Sequence, residues 1–356
     1  MRAGVHGSMR CATHPATSTS SRVHSPLETR CARTPSRGRW SNRTRPRPST
    51  DDGHRNTSSR RSTRLGSKRN LNLPLLSPDE LREDLYANET LWRSSTRGVV
   101  LCNGAEHVDD VEYWLSYMPM RNRAEVIRLM LAYADVPYAF EVVGYVRYEP
   151  EVKPTMNFGK TPALVDIDGQ GTDLTHETAV TRYLADQLSL GGSDSLTRAR
   201  VDELFQQYWH TVRNNGLTHA GELYSAKALR DATEDDVVNC GRFHDTHRVN
   251  TLSVAKRSLQ ALRVFEEILE TNKTPYLVGA DLTYVDLALL DTLWDLGEED
   301  SVPDFAHRFN LPRCGEFLQR VAGIPAIDAY LRSPSRIPRY ERPEYAYIPG
   351  RLSPAP

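Results

Sequence analysis

Tyr117 opens the run Tyr117-Met-Pro-Met-Arg-Asn-Arg123-Ala-Glu125, which closes an apolar segment, 111–117, and leads into an amphipathic one. That spacing delivers a phenolic hydroxyl to the start of a helix, where unpaired amides and the positive end of the macrodipole favour an anion. A hydroxyl donor in that setting can hydrogen-bond a thiolate. Further along, Thr161-Pro162 follows Phe158-Gly-Lys, so a proline enters a strand between a turn and a hairpin. An X-Pro bond costs only about 0.5–1 kcal/mol in cis, and such a place suits one. His244 and His247 fit one helical face, but two histidines without a third ligand or partner acid read as surface residues, and no metal is expected.

These groups need a frame, and composition bounds it. The formal charge of -1 hides an asymmetry, since residues 1–70 hold 16 Lys and Arg against 3 Asp and Glu, leaving 29 against 43 for the remainder. The arm is Arg, Ser, Thr and Pro with almost no Leu, Ile or Phe, so it cannot offset an ordering entropy of about 1–2 kcal/mol per residue. Its composition allows an organelle transit peptide or a nucleic-acid-binding tail. Ser77-Pro-Asp-Glu-Leu reads as an N-cap with Pro at the first helical position and acids in the first turn. We read 1–105 as a disordered basic leader carrying that one short helix. The five cysteines, Cys11, Cys31, Cys102, Cys240 and Cys314, contain no CxxC pair, which argues for a reducing compartment. No run of about 18 apolar residues and no apolar signal stretch occurs, so neither a membrane span nor secretion is expected.

From 111 strand and helix alternate. Residues 111–117 form a strand; Ile127, Met130, Leu131 and Ala134 then fall at i, i+3, i+4, i+7, the stripe of a helix lying on a sheet. Tyr138–Val143 is a second strand, 158–169 reads as turn, strand and hairpin tip, and Leu174 ends the returning strand. Residues 178–188 are helical, with Ala179, Val180, Tyr183 and Leu184 apolar. The order β-α-β-α-β-β-α predicts an α/β thioredoxin-like domain over 106–190, with Gly191-Gly192-Ser193 as linker. Beyond it only helical stripes occur: Val201, Leu204, Phe205, Tyr208, Trp209 and Val212; Leu259, Leu262, Phe265, Ile268 and Leu269; Ala288, Leu289, Leu293 and Leu296. An all-helical C-terminal domain over 195–335 follows, then an extended tail over 336–356.

The run from Tyr117 resembles the start of a cytosolic glutathione transferase of the tyrosine type, worded Tyr-Phe-x-x-x-Gly-Arg-Ala-Glu. Three more motifs follow in order. Ala179-Val-Thr-Arg-Tyr-Leu-Ala185 matches the end of Gln-Ser-x-Ala-Ile-x-Arg-Tyr-Leu-Ala. Gly279 and Thr283-Tyr-Val-Asp286 are similar to the helical-domain cap Gly-x-x-x-Thr-x-Ala-Asp, a capping box with Asp in place of Glu. Residues 320–331 resemble the last helices. The resemblance spans about 111 to 333 and is sigma-like.

It implies that the first domain binds glutathione, as a substrate and with no cofactor. Tyr117 would donate to the thiolate and be the catalytic residue, while Arg123 would add positive potential. The alternative for Arg123 is an ion pair with Glu125 or with the second domain. Lys153 would reach the glycyl carboxylate, although the family's Trp four residues earlier is replaced by Tyr148 and Glu149. Thr161, before a cis-Pro162, would pair with the cysteinyl unit. His176-Glu177 departs from the family's Gln-Ser, placing an acid where the γ-glutamyl carboxylate binds; Glu177 is either a plain N-cap or takes the substrate's ammonium, the partner-subunit acid being replaced near His210. A homodimer, a hydrophobic electrophile as second substrate and a cytoplasmic location are also implied, with nucleic-acid binding not expected. The competing class is a non-catalytic protein on the same fold.

Overall fold

The computed structural model describes residues 72–87, 94–213, 229–230, 232–242, 246–298 and 302–337. The basic arm of 1–70, His244 and the tail beyond 337 lie outside the described residues, as does the side chain of His247. The short helix ahead of the first domain is present as α1, Pro78–Ala87. Ser77 Oγ accepts the N–H of Glu80 at 3.1 Å and Glu80 Oε2 accepts that of Ser77 at 2.7 Å, a reciprocal cap.

The leader read over 1–105 requires a correction, because it contains a full strand. β1, Arg97–Cys102, is an apolar run that pairs residue for residue with a later strand, from Arg97 opposite Val143 to Cys102 opposite Tyr138. Asn103 and Gly104 close it at φ 55° and 76°, the left-handed pair that an Asn-Gly turn supplies without strain. β2 is Tyr113–Tyr117, and a single 3₁₀ turn, Asn122–Ala124, leads into α2, Glu125–Tyr133. β3 is Tyr138–Val143. The one helix expected next is instead a series of single turns, Tyr145–Arg147, Tyr148–Val152, Lys153–Thr155 and Asn157–Gly159. Pro150 and Pro154 withhold the amides that a continuous helix needs there. β4, Ala163–Leu164, and β5, Leu174–Thr175, form the hairpin, and α3, Glu177–Gln187, completes the domain.

The sheet order is β1-β3-β2-β4-β5, with β2 and β3 parallel and the other neighbours antiparallel. Both faces are covered, which is why every residue of β3 is buried. Leu115, Phe140 and Val142 pack with Ile127, Met130 and Leu184 on one face. On the other, Val99, Trp114 and Val143 lie under Tyr148, Val152 and Met156 from the broken segment.

The rest is helical: α4 Ser195–Tyr208 with a wide turn to Arg213, α5 Glu234–Val238, α6 Thr246–Thr271, α7 Tyr284–Gly297, α8 Pro312–Ala322 and α9 Pro325–Leu331. α7 is apolar and buried almost all round, the signature of a central helix. It packs against α2, α4 and α8. The chain is thioredoxin-like in its first domain and an α-helical bundle after the linker. Among the described residues no helix is long and apolar enough to cross a membrane.

Candidate functional site

The parallel ladder that pairs Tyr117 with Val142 ends where β2 ends, so Tyr117 is the last residue fixed by the sheet before the chain turns toward α2. It is 5% exposed and faces a cleft of about 320 Å³. Arg123, Lys153 and Thr161 line the same cleft, together with Met118, Met120, Tyr145, Tyr148 and Glu149. The sequence thus placed four of its candidates, far apart along the chain, around one hole.

Each wall has a local cause. Thr161-Pro162 is cis, and Ala163 pairs with Ser116, which sets Thr161 beside the Tyr117 end of β2. Thr161 Oγ1 donates to Met118 Sδ at 3.2 Å. Lys153 Nζ donates to both carboxylate oxygens of Glu149 at 2.9 Å, and that hydrogen bond and charge raise the lysine's pKa. The Tyr148 hydroxyl donates to the Gly159 carbonyl at 2.8 Å, and burial raises its pKa.

Pro162, His176 and Glu177 are not among the cleft's lining residues. Glu177 opens α3 and is buried, and its Oε2 accepts from Trp209 Nε1 at 3.2 Å. The Arg123 guanidinium lies 5.7 Å from the centre of the same Trp209 ring, within cation–π range. Trp209 of the bundle therefore touches both Arg123 of the cleft and the acid at the start of α3. His176 sits at φ 73°, a strained angle for a residue with a Cβ. Its ring meets Phe158 edge-on at 5.7 Å, and its Nδ1 is 3.1 Å from Thr175 Oγ1.

Known proteins share this arrangement of sequence. The family described as "Glutathione S-transferase, C-terminal domain" matches residues 245–334. "Probable glutathione S-transferase 7" of Caenorhabditis elegans is 30% identical over 189 residues, covering 52% of this chain and 81% of that relative. The chain belongs to the glutathione transferase family. "Probable glutathione S-transferase 6" of the same organism is 27% identical over 243 residues, 67% of this chain and the whole of that relative. A shorter match, 38% over 90 residues, is to "Hematopoietic prostaglandin D synthase" of Rattus norvegicus, 25% of this chain and 43% of that protein.

Against the transferase wording, Asn122 stands in place of Gly, and it holds φ 36°, an angle that Asn tolerates better than most residues. Of the residues that the motifs did not flag for the site, Tyr145, Met120 and Trp209 gave no local signal. Trp209 appeared only as one apolar position in the α4 stripe. Tyr148 and Glu149, which replace the transferase Trp, prove to be cleft residues themselves.

Proposed function

We propose that the protein conjugates the thiolate of glutathione to an electrophilic small molecule, with Tyr117 as the thiolate's hydrogen-bond donor. The observation that carries this is the convergence of Tyr117, Thr161 and Lys153 on one cleft beside a cis-proline. An unperturbed thiol has a pKa near ~8.5 and is only a few per cent thiolate at neutral pH. Lowering it by about two units requires roughly 2.7 kcal/mol, within reach of one charge-assisted hydrogen bond and a nearby helix start. The cysteinyl sulfur would then form a bond to the electrophilic carbon with its own electron pair. In substitution a leaving group departs with the displaced pair; in addition the neighbouring atom takes a proton from solvent.

Thr161 would offer its backbone to the cysteinyl unit, and Lys153 its ammonium to the glycyl carboxylate. Glu177, with one oxygen held by Trp209, would take the substrate's ammonium, and Arg123 would add positive potential from above that indole. No cofactor is needed. A homodimer suits Phe158, whose ring is 83% exposed beside the cleft wall at Gly159 and Lys160, a large apolar surface to leave in water. The buried free thiols of Cys102 and Cys314 fit a reducing, cytoplasmic setting.

Tyr117→Phe tests the central assignment. The variant should keep its glutathione affinity while the apparent thiol pKa in the bound complex moves back toward that of the free thiol, read from the pH profile of conjugation or thiolate absorbance. An unchanged pH profile removes Tyr117 from the mechanism. For Glu177, glutathione acetylated on its amine should bind at least tenfold more weakly than glutathione in calorimetry. Equal binding leaves the acid as a helix cap.

A further inference from the structure

The cleft's outer wall is the segment 144–160, which supplies Tyr145, Tyr148, Glu149 and Lys153. It contains no long helix, and its apolar contacts with the sheet run through Tyr148, Val152 and Met156. Such a run of single turns has little stiffness of its own. What borders it is the strand that precedes the whole 111–333 stretch of transferase motifs.

Contacts from residues 94–99 meet this wall along its first half. The N–H of Gly144 donates to the Thr96 carbonyl at 2.6 Å and that of Val146 to the Ser94 carbonyl at 3.1 Å, so Tyr145 is bracketed by two backbone bonds. The approach is so close that a Cβ at Gly144 would lie 2.3 Å from the Ser94 oxygen. Val99 shares an apolar cluster with Tyr148 and Val152. Arg97 then closes the arrangement. Its NH1 donates to Glu151 Oε2 at 2.6 Å and its NH2 to Glu141 Oε1 at 3.4 Å. Glu141 is buried in β3 and also accepts from Trp114 Nε1 at 3.1 Å, while Glu151 lies between Tyr148 and Lys153. A second cation, Arg147, reaches the same Glu151 carboxylate.

We infer that Arg97 is a positioning residue for glutathione, tying the wall that carries Tyr148 and Lys153 to the buried carboxylate of β3. This rests on the reading of the cleft as the glutathione site. Arg97 touches none of the residues assigned to thiol activation, so its loss should act on affinity and not on the thiol's pKa. The strand is then a working part of the site and not a leader to it.

The experiment titrates glutathione into the full chain and into Arg97→Ala, Arg97→Lys and Glu151→Ala. Arg97→Ala should weaken binding about tenfold, equivalent to ~1.4 kcal/mol, and raise KM for glutathione with kcat and its pH profile unmoved. Arg97→Lys should recover part of the loss. Hydrogen exchange at the amides of 144–153 should quicken in Arg97→Ala. Should that variant fail to fold because the buried Glu141 carboxylate loses its arginine and keeps the Trp114 donor, Glu151→Ala decides, since it removes the acceptor on the wall and leaves Glu141 with Arg97. Wild-type affinity in a folded Arg97→Ala or Glu151→Ala protein overturns the inference and leaves the function intact. A wild-type chain that binds no glutathione overturns the function, and this inference with it.

Discussion

Among the described residues, ion pairs join the first domain and the bundle along two seams, one dry and one wet. In the dry seam, Arg121 reaches Asp295 at 2.8 Å and Glu298 at 2.7 Å, both at the C-terminal end of α7. Glu125 of α2 takes Arg128 at 3.0 Å and Arg336 at 2.9 Å. Arg121 Nε also donates to the Ile337 carbonyl at 2.8 Å, and Arg128 to that of Met120 at 3.2 Å. In the wet seam, Arg182 of α3 meets Asp202 of α4 at 2.8 Å with both side chains well exposed, and the Tyr284 hydroxyl donates to the same carboxylate at 3.1 Å. The same residue types therefore do two different jobs. A buried ion pair gains little over an apolar contact but is very costly to break, because the survivor is left charged without water. The dry seam fixes one arrangement of α2, α7 and the segment at 336–337; the wet seam merely tolerates it. Through Arg128 and the Met120 carbonyl that arrangement extends to the cleft wall.

Glu125→Ala is the largest break. It would leave Arg128 and Arg336 facing each other in a dry interior, and a loss of about 3–5 kcal/mol is expected in denaturant or thermal unfolding. Burial pushes the Glu125 carboxyl up, but Arg336, Arg128 and Arg121 outweigh it and hold the group below its ordinary 4.5. Its contribution is therefore complete above that value and disappears as pH falls through the lowered one. A loss under about 1 kcal/mol would place this seam with the exposed one.

Asp286 sharpens the contrast, being as buried as Glu125 but with no arginine among the groups that shift it. It caps α7, accepting from the N–H of Leu277 at 2.8 Å and from the N–H and hydroxyl of Thr283 at 2.8 and 2.7 Å. Burial pushes its pKa up to about 6 from 3.8 despite those bonds. The sign is opposite to that of Glu125: its contribution is complete below 3.8 and is lost as pH rises through about 6. The stability gap between wild type and Asp286→Asn should then narrow by up to about 3 kcal/mol over that window as pH rises. A gap that widens instead would mean that the three donors outweigh burial and hold the carboxylate ionised.

The two kinds of site differ in how far they could be seen in the sequence. The caps at Ser77 and Thr283, the cis Thr161-Pro162 bond and the placement of Tyr117 at a strand end are local, each decided within a few residues. The dry seam is not. Arg336 and Glu125 are 211 positions apart, and the position of Arg336 in a stretch rich in Pro, Arg and Tyr suggested an extended tail, packed along the surface or free, and not a buried partner. The ion-pair alternatives for Arg123 also missed, since residues two apart leave a helix on different sides; Glu125 turns inward, and Arg123 meets the second domain through the face of the Trp209 ring and not through an acid. β1 went unread for a different reason. Its Val-Val-Leu run between Gly98 and Asn103-Gly104 is a strand signal of ordinary strength, masked by the compositional bias of the arm before it.

The smallest effect belongs to the wet seam, and it is the one that tests whether the comparison is real. Arg182→Ala removes the guanidinium from Asp202, but water replaces it at once, and Tyr284 still donates to the carboxylate. An exposed pair of this kind is worth about 0.2–1 kcal/mol and weakens further with salt. The variant should therefore unfold within ~1 kcal/mol of wild type at low ionic strength and coincide with it in about 1 M salt, whereas Glu125→Ala should stay destabilised under both conditions. If Arg182→Ala lost as much as Glu125→Ala, exposure would not be what separates the seams. The junction at α3 and α4 would then have to be holding the domains together by packing around the Arg182 stem, not by its charge.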